Sequence, residues 1–373
     1  HVLVIPAYKE SSGFVSRFFS STLGQCHSLM ILVINQPVSD TYKLLQQKLF
    51  DSAIGLGSLI WRSGHLSLIK VKESQGYLLL VDRFTVPLPD KQGVGLARKI
   101  GADLAVALVQ KKLLHTHWIH SSDADAHLPD DYFSTTYGLT APVVAAYFNF
   151  THLSDNEEIH KANQLYECGL RYYRAGLQFS GSKYAFFSIG SILVFNVMAY
   201  LQVRGFPKRS AGEDFYLLNK LAKLGHIAYL SDSVIVLDAR VSDRVPFGTG
   251  PAVDKIMTLN QQGKHYDYYH PQVFTLLKEC IQAFDSLWEW REQLDTWLKS
   301  NNNQLSAILL ELGLKTFVEK HKNATSIQFD KQLHVWFDAF KTLKFIHIAR
   351  ECFYPDLPLN QAIELACFFR RHM

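Results

Sequence analysis

The chain is 373 residues long and 48% hydrophobic, which is enough for a large buried core, and its length favours two domains over one. The formal net charge of +4 is spread thinly without a long Lys/Arg run, which gives no sign of a nucleic-acid-binding protein. The five cysteines are scattered and form no CxxC pair, which argues against a disulfide framework or a zinc site and favours a reducing, cytoplasmic compartment.

Strand and helix patterns alternate along the first two thirds of the chain. Short apolar runs end in turn residues, as buried parallel strands do, and helical patterns separate them. We predict strands at residues 2–5, 30–34, 117–122, 141–148 and 233–237, and a hairpin or strand pair at 66–81. We predict helices at residues 11–23, 95–114, 157–176 and 215–224. This alternation predicts an open, mostly parallel sheet with helices on both faces, whose ligands bind beyond the carboxyl ends of the strands.

Residues 184–203 carry no charge and are long enough to span a bilayer. Polar residues and a glycine interrupt this segment, and it lies between motifs that must share one fold, so we predict a buried strand followed by a helix. The chain opens directly on a strand-like run, which predicts no signal peptide. We therefore expect no transmembrane segment, and a peripheral membrane contact stays open.

The pattern becomes helical after about residue 251. Amphipathic helices are predicted at residues 272–299, 304–320, 331–350 and 360–370, separated by polar breaks. We therefore predict an α/β domain at residues 1–255 and an α-helical domain at residues 256–373.

Asp123 and Asp125 form a DxD motif directly after a predicted strand. Residues i and i+2 of an extended segment point the same way, so both carboxylates can face one site. Such oxygen ligands suit Mg²⁺ or Mn²⁺ that bridges to phosphate oxygens. Taken alone, a DxD motif is also typical of a solvated loop. The apolar strand before it, and residues 127–131, which we expect to begin a helix, favour a metal site.

Glu213 and Asp214 begin a predicted helix. The helix dipole and the free N–H groups of a first turn stabilise negative charge there, so we expect Asp214 to be ionised with a depressed pKa. An ionised carboxylate in this position could act as a general base toward a hydroxyl group. The alternative is an ordinary charged first turn.

Two further segments have the residues to contact an anion. Gly93 and Gly95 precede a helix that carries Arg98, which would allow the backbone to approach an anion closely. Arg240 and Arg244 follow another strand and stand beside a glycine loop, which suits a diphosphate. A surface ion cluster explains the second segment equally well.

Four segments, in their order along the chain, resemble the family 2 glycosyltransferases of the GT-A fold over about residues 2–250. VLVIPAYKES resembles the family's first strand and nucleotide-binding turn, and GVGLARKIGADLAV resembles its A-R-N-x-G segment. IHSSDADAHLPDDYF resembles its DxD region, and GFPKRSAGEDFYLLNKLAKLG resembles its E-D motif. The resemblance implies a GT-A type nucleotide-diphospho-sugar transferase fold, a mostly parallel sheet with flanking helices, to which this chain adds an α-helical C-terminal extension.

The resemblance also implies a role for residues at matching positions. The residues implied to hold the nucleoside or nucleotide are Pro6, Ala7, Tyr8, Glu10, Arg98 and Asp123. We add Asn35, Arg240 and Arg244 as candidate contacts because they end or follow strands. Those implied to bind the metal are Asp123 and Asp125, with Asp238 as the first choice for a further contact. Asp214 would be the catalytic base and Glu213 its neighbour. The second strand ends in Asn35-Gln36-Pro37 where the family usually has aspartates that read the base, so the base stays open between a UDP- and a GDP-sugar.

The implied activity is metal-dependent transfer of one sugar to an unknown acceptor hydroxyl, with inversion at the anomeric carbon and retention left open. The helices beyond about residue 265 are expected to shape the acceptor side or an oligomer contact and to carry no catalytic residue. One alternative is a sugar-phosphate nucleotidyltransferase, which needs a glycine-rich basic loop that Lys9 and Gly13 alone do not supply. The other is a non-catalytic nucleotide- or sugar-binding protein on the same fold.

Overall fold

The computed structural model describes residues 1–239 and 248–369. The strands in this part of the chain are β1 (Val2–Ala7), β2 (Leu29–Pro37), β3 (Gly57–Ser63), β4 (Leu66–Val71), β5 (Tyr77–Leu88), β6 (Trp118–Ser121), β7 (Ala126–His127), β8 (Val143–Leu153), β9 (Leu193–Asn196), β10 (His226–Asp238), β11 (Asp267–Tyr268) and β12 (Leu357–Pro358). The α-helices are α1 (Gly13–Ser20), α2 (Leu44–Gly55), α3 (Gly93–Gln110), α4 (Glu157–Phe179), α5 (Val197–Gln202), α6 (Glu213–Leu221), α7 (Thr249–Gln261), α8 (Gln272–Leu287), α9 (Leu294–Ser300), α10 (Asn303–Glu311), α11 (Leu314–His321), α12 (Ser326–Trp336), α13 (Ala339–Cys352) and α14 (Leu359–Leu365).

Ten of these strands form one sheet in the order β3-β4-β5-β2-β1-β6-β9-β8-β10-β7. The central strands β5, β2, β1 and β6 pair in parallel, and so do β8 and β10. β9 is antiparallel to both of its neighbours, and antiparallel strands also form the two edges of the sheet. The predicted α/β class, with a sheet that is parallel at its centre, flanking helices and a helical C-terminal extension, is confirmed.

The central strands are apolar because both faces of the sheet are covered. All six residues of β1 are buried, as are eight of the nine residues of β2. α3 lies on one face, so close that a Cβ added at Gly101 would come 2.4 Å from Val4 Cγ1. On the other face, Ile5 and Met30 line a small cavity together with Phe14 of α1.

Strand β3 forms one edge of the sheet and is exposed along nearly its whole length. Its three consecutive large apolar residues, Leu59, Ile60 and Trp61, are 46, 52 and 47% exposed. A bulge between Leu59 and Trp61 interrupts the pairing with β4.

The structure corrects the prediction for the residues after the DxD motif. No α-helix begins at residues 127–131; residues 126–127 form β7, which pairs with Leu237 and Val236 of β10. Only a short 3-10 helix follows at residues 134–136. The backbone of this segment is engaged in the sheet, and Pro129 lacks the N–H that a helix interior requires.

Residues 184–203 contain β9 and α5, as predicted. Within the described ranges 1–239 and 248–369, no helix is long and apolar enough to cross a membrane. The long helices predicted in the C-terminal third are broken into shorter ones. For example, Gly313 separates α10 from α11 in the left-handed conformation, and Asp338 caps the start of α13.

The described residues divide into two compact units. The first unit consists of the segments 1–163 and 188–252, and it contains the sheet. The second consists of residues 164–187 and the segment that begins at residue 253. The second unit has its own core, to which Phe274, Trp297, Ile308 and Phe345 contribute.

Candidate functional site

Arg98 lies in α3 and is almost completely buried, with 3% of its side chain exposed. Its Nε donates to Glu213 Oε1 at 2.8 Å, and its Nη2 donates to Asp123 Oδ1 at 2.6 Å. Its Nη1 donates at 2.9 to 3.3 Å to three acceptors, Ser121 Oγ, the Ser122 carbonyl and the Gly190 carbonyl. One side chain thus joins the DxD motif to the start of α6, although Glu213 is 115 residues away in the sequence.

Two carboxylates determine the charge state of Arg98. Burial by itself lowers the pKa of an arginine, but the negative charges of Asp123 and Glu213 outweigh it and raise the pKa of Arg98 above its usual range. The guanidinium is therefore a permanent cation. Since an unpaired charge at this depth is costly, the cation and the two carboxylates hold one another in place.

Asp214 lies beside this ionic group, in the first turn of α6. Burial raises the pKa of Asp214 to about 7, and the negative charge of Glu213 acts in the same direction. The Phe215 N–H, which donates to Asp214 Oδ1 at 2.7 Å, and the charge of Arg98 oppose this rise without cancelling it. The expected depressed pKa is therefore wrong, because desolvation and a like charge outweigh the helix N-terminus.

The DxD motif lies at the carboxyl end of β6, where the next segment turns toward β10. The Asp123 side chain is 34% exposed, and one of its oxygens accepts from Arg98. Asp125 is half-buried, and its carbonyl accepts the N–H of Asp238 at 3.0 Å. Asp238 is exposed, and its Oδ1 lies 2.8 Å from Nε2 of His127.

These carboxylates fit a divalent cation that is bound together with phosphate. Among the residues that the structure describes, no group of three or more His, Cys, Asp or Glu side chains could hold a metal ion by itself. The backbone hydrogen bond nevertheless makes Asp125 and Asp238 neighbours. Mg²⁺ is commonly held by one or two carboxylates, with substrate phosphates and water as its other ligands. The donor set therefore suits a substrate-completed site rather than a preformed cage.

The turn after β1 meets a carboxylate that the sequence motifs did not indicate. The Tyr8 hydroxyl donates to Asp40 Oδ2 at 2.6 Å, and Lys9 Nζ lies 3.1 Å from the same oxygen. The hydrogen bond from Tyr8 holds the pKa of Asp40 below its usual range. Asp40 is the first acidic residue after β2, and that position is the signal that could have identified it.

The other residues implied for the nucleoside lie around this turn. Pro6 and Ala7 are the last residues of β1 and are buried. Glu10 is half-buried in the loop before α1. Asn35 is 6% exposed within β2, so the carboxylate of Asp40, rather than the Asn35 amide, stands at the accessible end of this strand.

Gly95 packs against the segment that precedes α6 and leaves no room for an anion. A Cβ at Gly95 would lie 2.6 Å from the carbonyl oxygens of both Pro207 and Arg209, and the Gly95 N–H donates to the latter at 2.9 Å. The close packing of α3 against residues 207–209 therefore explains why glycine occupies this position. Arg240 and Arg244 lie outside the described residues.

Comparisons with known proteins give matches among solved structures only. No protein-family profile matches the chain, and no curated protein does. One similar structure is S. aureus TarS in complex with UDP-GlcNAc, with a TM-score of 0.40, 9% identity and coverage of 89% of each chain. Another is glucosyl-3-phosphoglycerate synthase from Mycobacterium tuberculosis in complex with Mn²⁺, UDP and glucosyl-3-phosphoglycerate, with a TM-score of 0.39, 12% identity and coverage of 72% of this chain and 83% of that one.

A third is a mannosyltransferase from Pyrobaculum calidifontis in complex with GDP-Man and Mn²⁺, with a TM-score of 0.38 and 12% identity. The match covers 94% of this chain and 86% of that one. These neighbours are GT-A fold glycosyltransferases, the group that the sequence motifs resemble.

Proposed function

We propose that the chain is a metal-dependent glycosyltransferase that moves one hexosyl group from a UDP- or GDP-sugar to an acceptor hydroxyl. The observation that carries this proposal is the ionic group around Arg98. It brings a DxD carboxylate and the first turn of α6 together at the carboxyl ends of the strands, where α/β folds bind ligands. All five cysteines are free, which supports a cytoplasmic enzyme.

The donor nucleotide would occupy the edge formed by the turn after β1 and by the DxD segment. Tyr8 and Asp40 offer an aromatic ring and a carboxylate for the nucleoside. Asp125 and Asp238 would hold Mg²⁺ or Mn²⁺ together with the diphosphate, with Asp123 facing the ribose or the sugar. When bound, such an ion supplies stabilisation of the negative charge on the leaving diphosphate.

Asp214 would be the general base. As the acceptor oxygen bonds to the anomeric carbon, its proton passes to the Asp214 carboxylate, and the bond from that carbon to the diphosphate oxygen breaks. A single displacement of this kind inverts the configuration. A base is most effective when its pKa is close to the working pH, and the pKa of Asp214, raised to about 7, supports this role.

The structure favours this reaction over nucleotidyl transfer. A nucleotidyltransferase would need a basic loop after β1 to hold a triphosphate, and the one cation in residues 6–13, Lys9, is paired with Asp40. The half-buried Asp214 carboxyl with its raised pKa supports catalysis over binding alone, because groups with perturbed pKa values cluster at catalytic sites.

A binding and hydrolysis experiment tests the proposal. We expect UDP or GDP to bind in the presence of Mn²⁺, with at least tenfold loss of affinity in EDTA, and a slow Mn²⁺-dependent hydrolysis of the matching nucleotide sugar. Asp125→Asn should reproduce the effect of EDTA, whereas Asp232→Asn, at an exposed position of β10, should not. Equal nucleotide affinity with Mn²⁺ and with EDTA would remove the metal from the proposal, and failure to bind either nucleotide would overturn it.

A further inference from the structure

Gly190 leaves the space in which the Arg98 side chain lies. It begins the short 3-10 turn before β9, and its φ is outside the left-handed region, so the backbone conformation does not require glycine. A Cβ at this position would lie 2.4 Å from Arg98 Nη2 and 2.6 Å from Arg98 Cζ. A real Cβ essentially never comes this close to another heavy atom, so with any other residue at this position the guanidinium or the turn must shift.

The guanidinium connects four elements of the first unit. Arg98 extends from α3, and Ser121 is the last residue of β6, with Asp123 just after it. Gly190 belongs to the turn before β9, and Glu213 belongs to α6. With 3% of its side chain exposed and with each nitrogen donating to a protein acceptor, Arg98 is not placed to contact a nucleotide. Its effect on a ligand must act through the carboxylates that it holds.

The Glu213 carboxylate is likewise held by a protein contact, its ion pair with Arg98. The Glu213 side chain is 5% exposed and accepts from Arg98 Nε at 2.8 Å, while Asp214, the next residue, is more accessible. Consecutive residues of a helix point in directions about 100° apart, so fixing Glu213 also fixes the direction of its neighbour. A displacement of about 1 Å in a catalytic group can reduce turnover by about a hundredfold.

We propose that Arg98, held in the space left by Gly190, is a positioning residue that fixes the Asp214 carboxylate relative to the donor-side Asp123. Glu213 is then the attachment of α6 to Arg98 and not a second base. This inference rests on the proposed function, because it assigns the Asp214 carboxylate to proton transfer. It differs from a purely stabilising role in predicting that small displacements of Arg98 impair turnover more than folding.

Gly190→Ala tests the inference without changing any charged or hydrogen-bonding side chain. The matched control is Gly138→Ala, in the same unit, where an added Cβ would meet no atom within 4 Å and φ is not positive. We expect Gly190→Ala to lose about ten- to a hundredfold in kcat. Its affinity for nucleotide with Mn²⁺ should fall by a smaller factor than kcat, because Asp123 moves with the guanidinium as well. The control should match wild type in both measurements.

The pH dependence of kcat separates positioning from general destabilisation. Asp214 is surrounded by the negative charges of Glu213 and Asp123 and by the positive charge of Arg98. Displacing the cation removes the charge that favours the ionised carboxylate, so the acid limb of the profile should move to higher pH in Gly190→Ala. Loss of stability alone would leave that limb where it is in wild type.

Ser121→Ala gives a second, milder displacement, because it removes one acceptor of Arg98 Nη1 and adds no atoms. We expect a loss of a few-fold in kcat and a shift of the acid limb in the same direction. Glu213→Gln, which keeps an acceptor for Nε, should retain more activity than Asp214→Asn. If Ser121→Ala and Gly190→Ala both match the Gly138→Ala control in kcat and pH profile, the inference is overturned. If wild type binds neither nucleotide, the proposed function itself fails.

Discussion

The Asp214 carboxylate is more basic than an ordinary aspartate because it is desolvated beside Glu213. Asp214→Asn keeps the size of the side chain and removes the base. We expect unchanged binding of nucleotide and Mn²⁺ and a loss of about two to four powers of ten in sugar transfer. Single-turnover transfer measured beside calorimetric nucleotide binding checks this expectation, and near wild-type transfer would show that another group accepts the proton.

The same substitution has a consequence for stability. The pKa of Asp214 is about 7 in the folded chain, against an ordinary value of 3.8. The protonated Asp214 therefore contributes its full stabilisation of the folded state below pH 3.8, and this stabilisation is lost as the pH rises through 7. Above pH 7 the folded state must hold the charge of a half-buried carboxylate beside Glu213, which lowers its stability. Asp214→Asn should therefore have a higher midpoint in urea than wild type at pH 8, with a much smaller difference at pH 4.

His120 has the opposite effect on pH dependence. It lies in β6 with 1% of its surface exposed, and burial lowers its pKa to about 3 from an ordinary value of 6.5. The unfolded chain binds this proton below pH 6.5 and the folded chain does not, so stability is complete above pH 6.5 and falls between pH 6.5 and 3. His120→Phe should lose less stability than wild type from pH 7 to pH 4. His115→Phe, at an exposed position, serves as control, and parallel curves for all three proteins would contradict the expectation.

At the scale of elements, the contact between α3 and the loop before α6 depends on Gly95. A Cβ there would meet two backbone carbonyl oxygens at 2.6 Å, and backbone cannot move aside as a flexible side chain can. Gly95→Ala should therefore destabilise the chain by about 1 to 3 kcal/mol. Gly55→Ala, in α2 with no atom within 4 Å, should be neutral or slightly stabilising because alanine is the better helix former. Urea denaturation of the two variants measures the difference.

The elements that the sequence predicted well are those whose pattern depends on burial. β1 and β2 are continuous apolar runs, which are typical of strands in a sheet covered on both faces. α3 carries its apolar residues at helical spacing, which is typical of an amphipathic helix. The segment after the DxD motif was misassigned because its backbone pairs with β10, more than a hundred residues later in the chain. No local pattern carries that information.

The candidate site divides in the same way. Asp123 and Asp214 were predicted as site residues because motifs mark them, and α3 was predicted as the helix that carries Arg98. That Arg98 reaches both Asp123 and Glu213, and that Gly190 leaves room for it, depends on contacts between distant segments. The raised pKa of Asp214 was missed for the same reason, since burial of a first-turn residue is a property of the packed structure.

At the scale of the whole molecule, the residues proposed to contact the nucleotide and the metal all belong to the first of the two units. A ligand at a hundred times its Kd stabilises the native state by about 2.7 kcal/mol. We therefore expect saturating nucleotide with Mn²⁺ to raise Tm and to slow amide exchange in β1, β6 and the start of α6. Exchange within α10 and α13 of the second unit should change less, and the strongest protection in those helices would place the nucleotide elsewhere.

The exposed edge strand β3 has a practical consequence for handling the protein. An uncovered edge strand exposes unpaired backbone N–H and C=O groups with which another extended chain can pair. The exposed apolar side chains of Leu59, Ile60 and Trp61 strengthen such an association. Concentrated preparations should therefore begin to aggregate at this strand, and a bulge at its middle only limits the process. Ile60→Lys should raise the concentration at which light scattering appears and leave nucleotide binding unaltered, which would make it the preferred form for crystallisation.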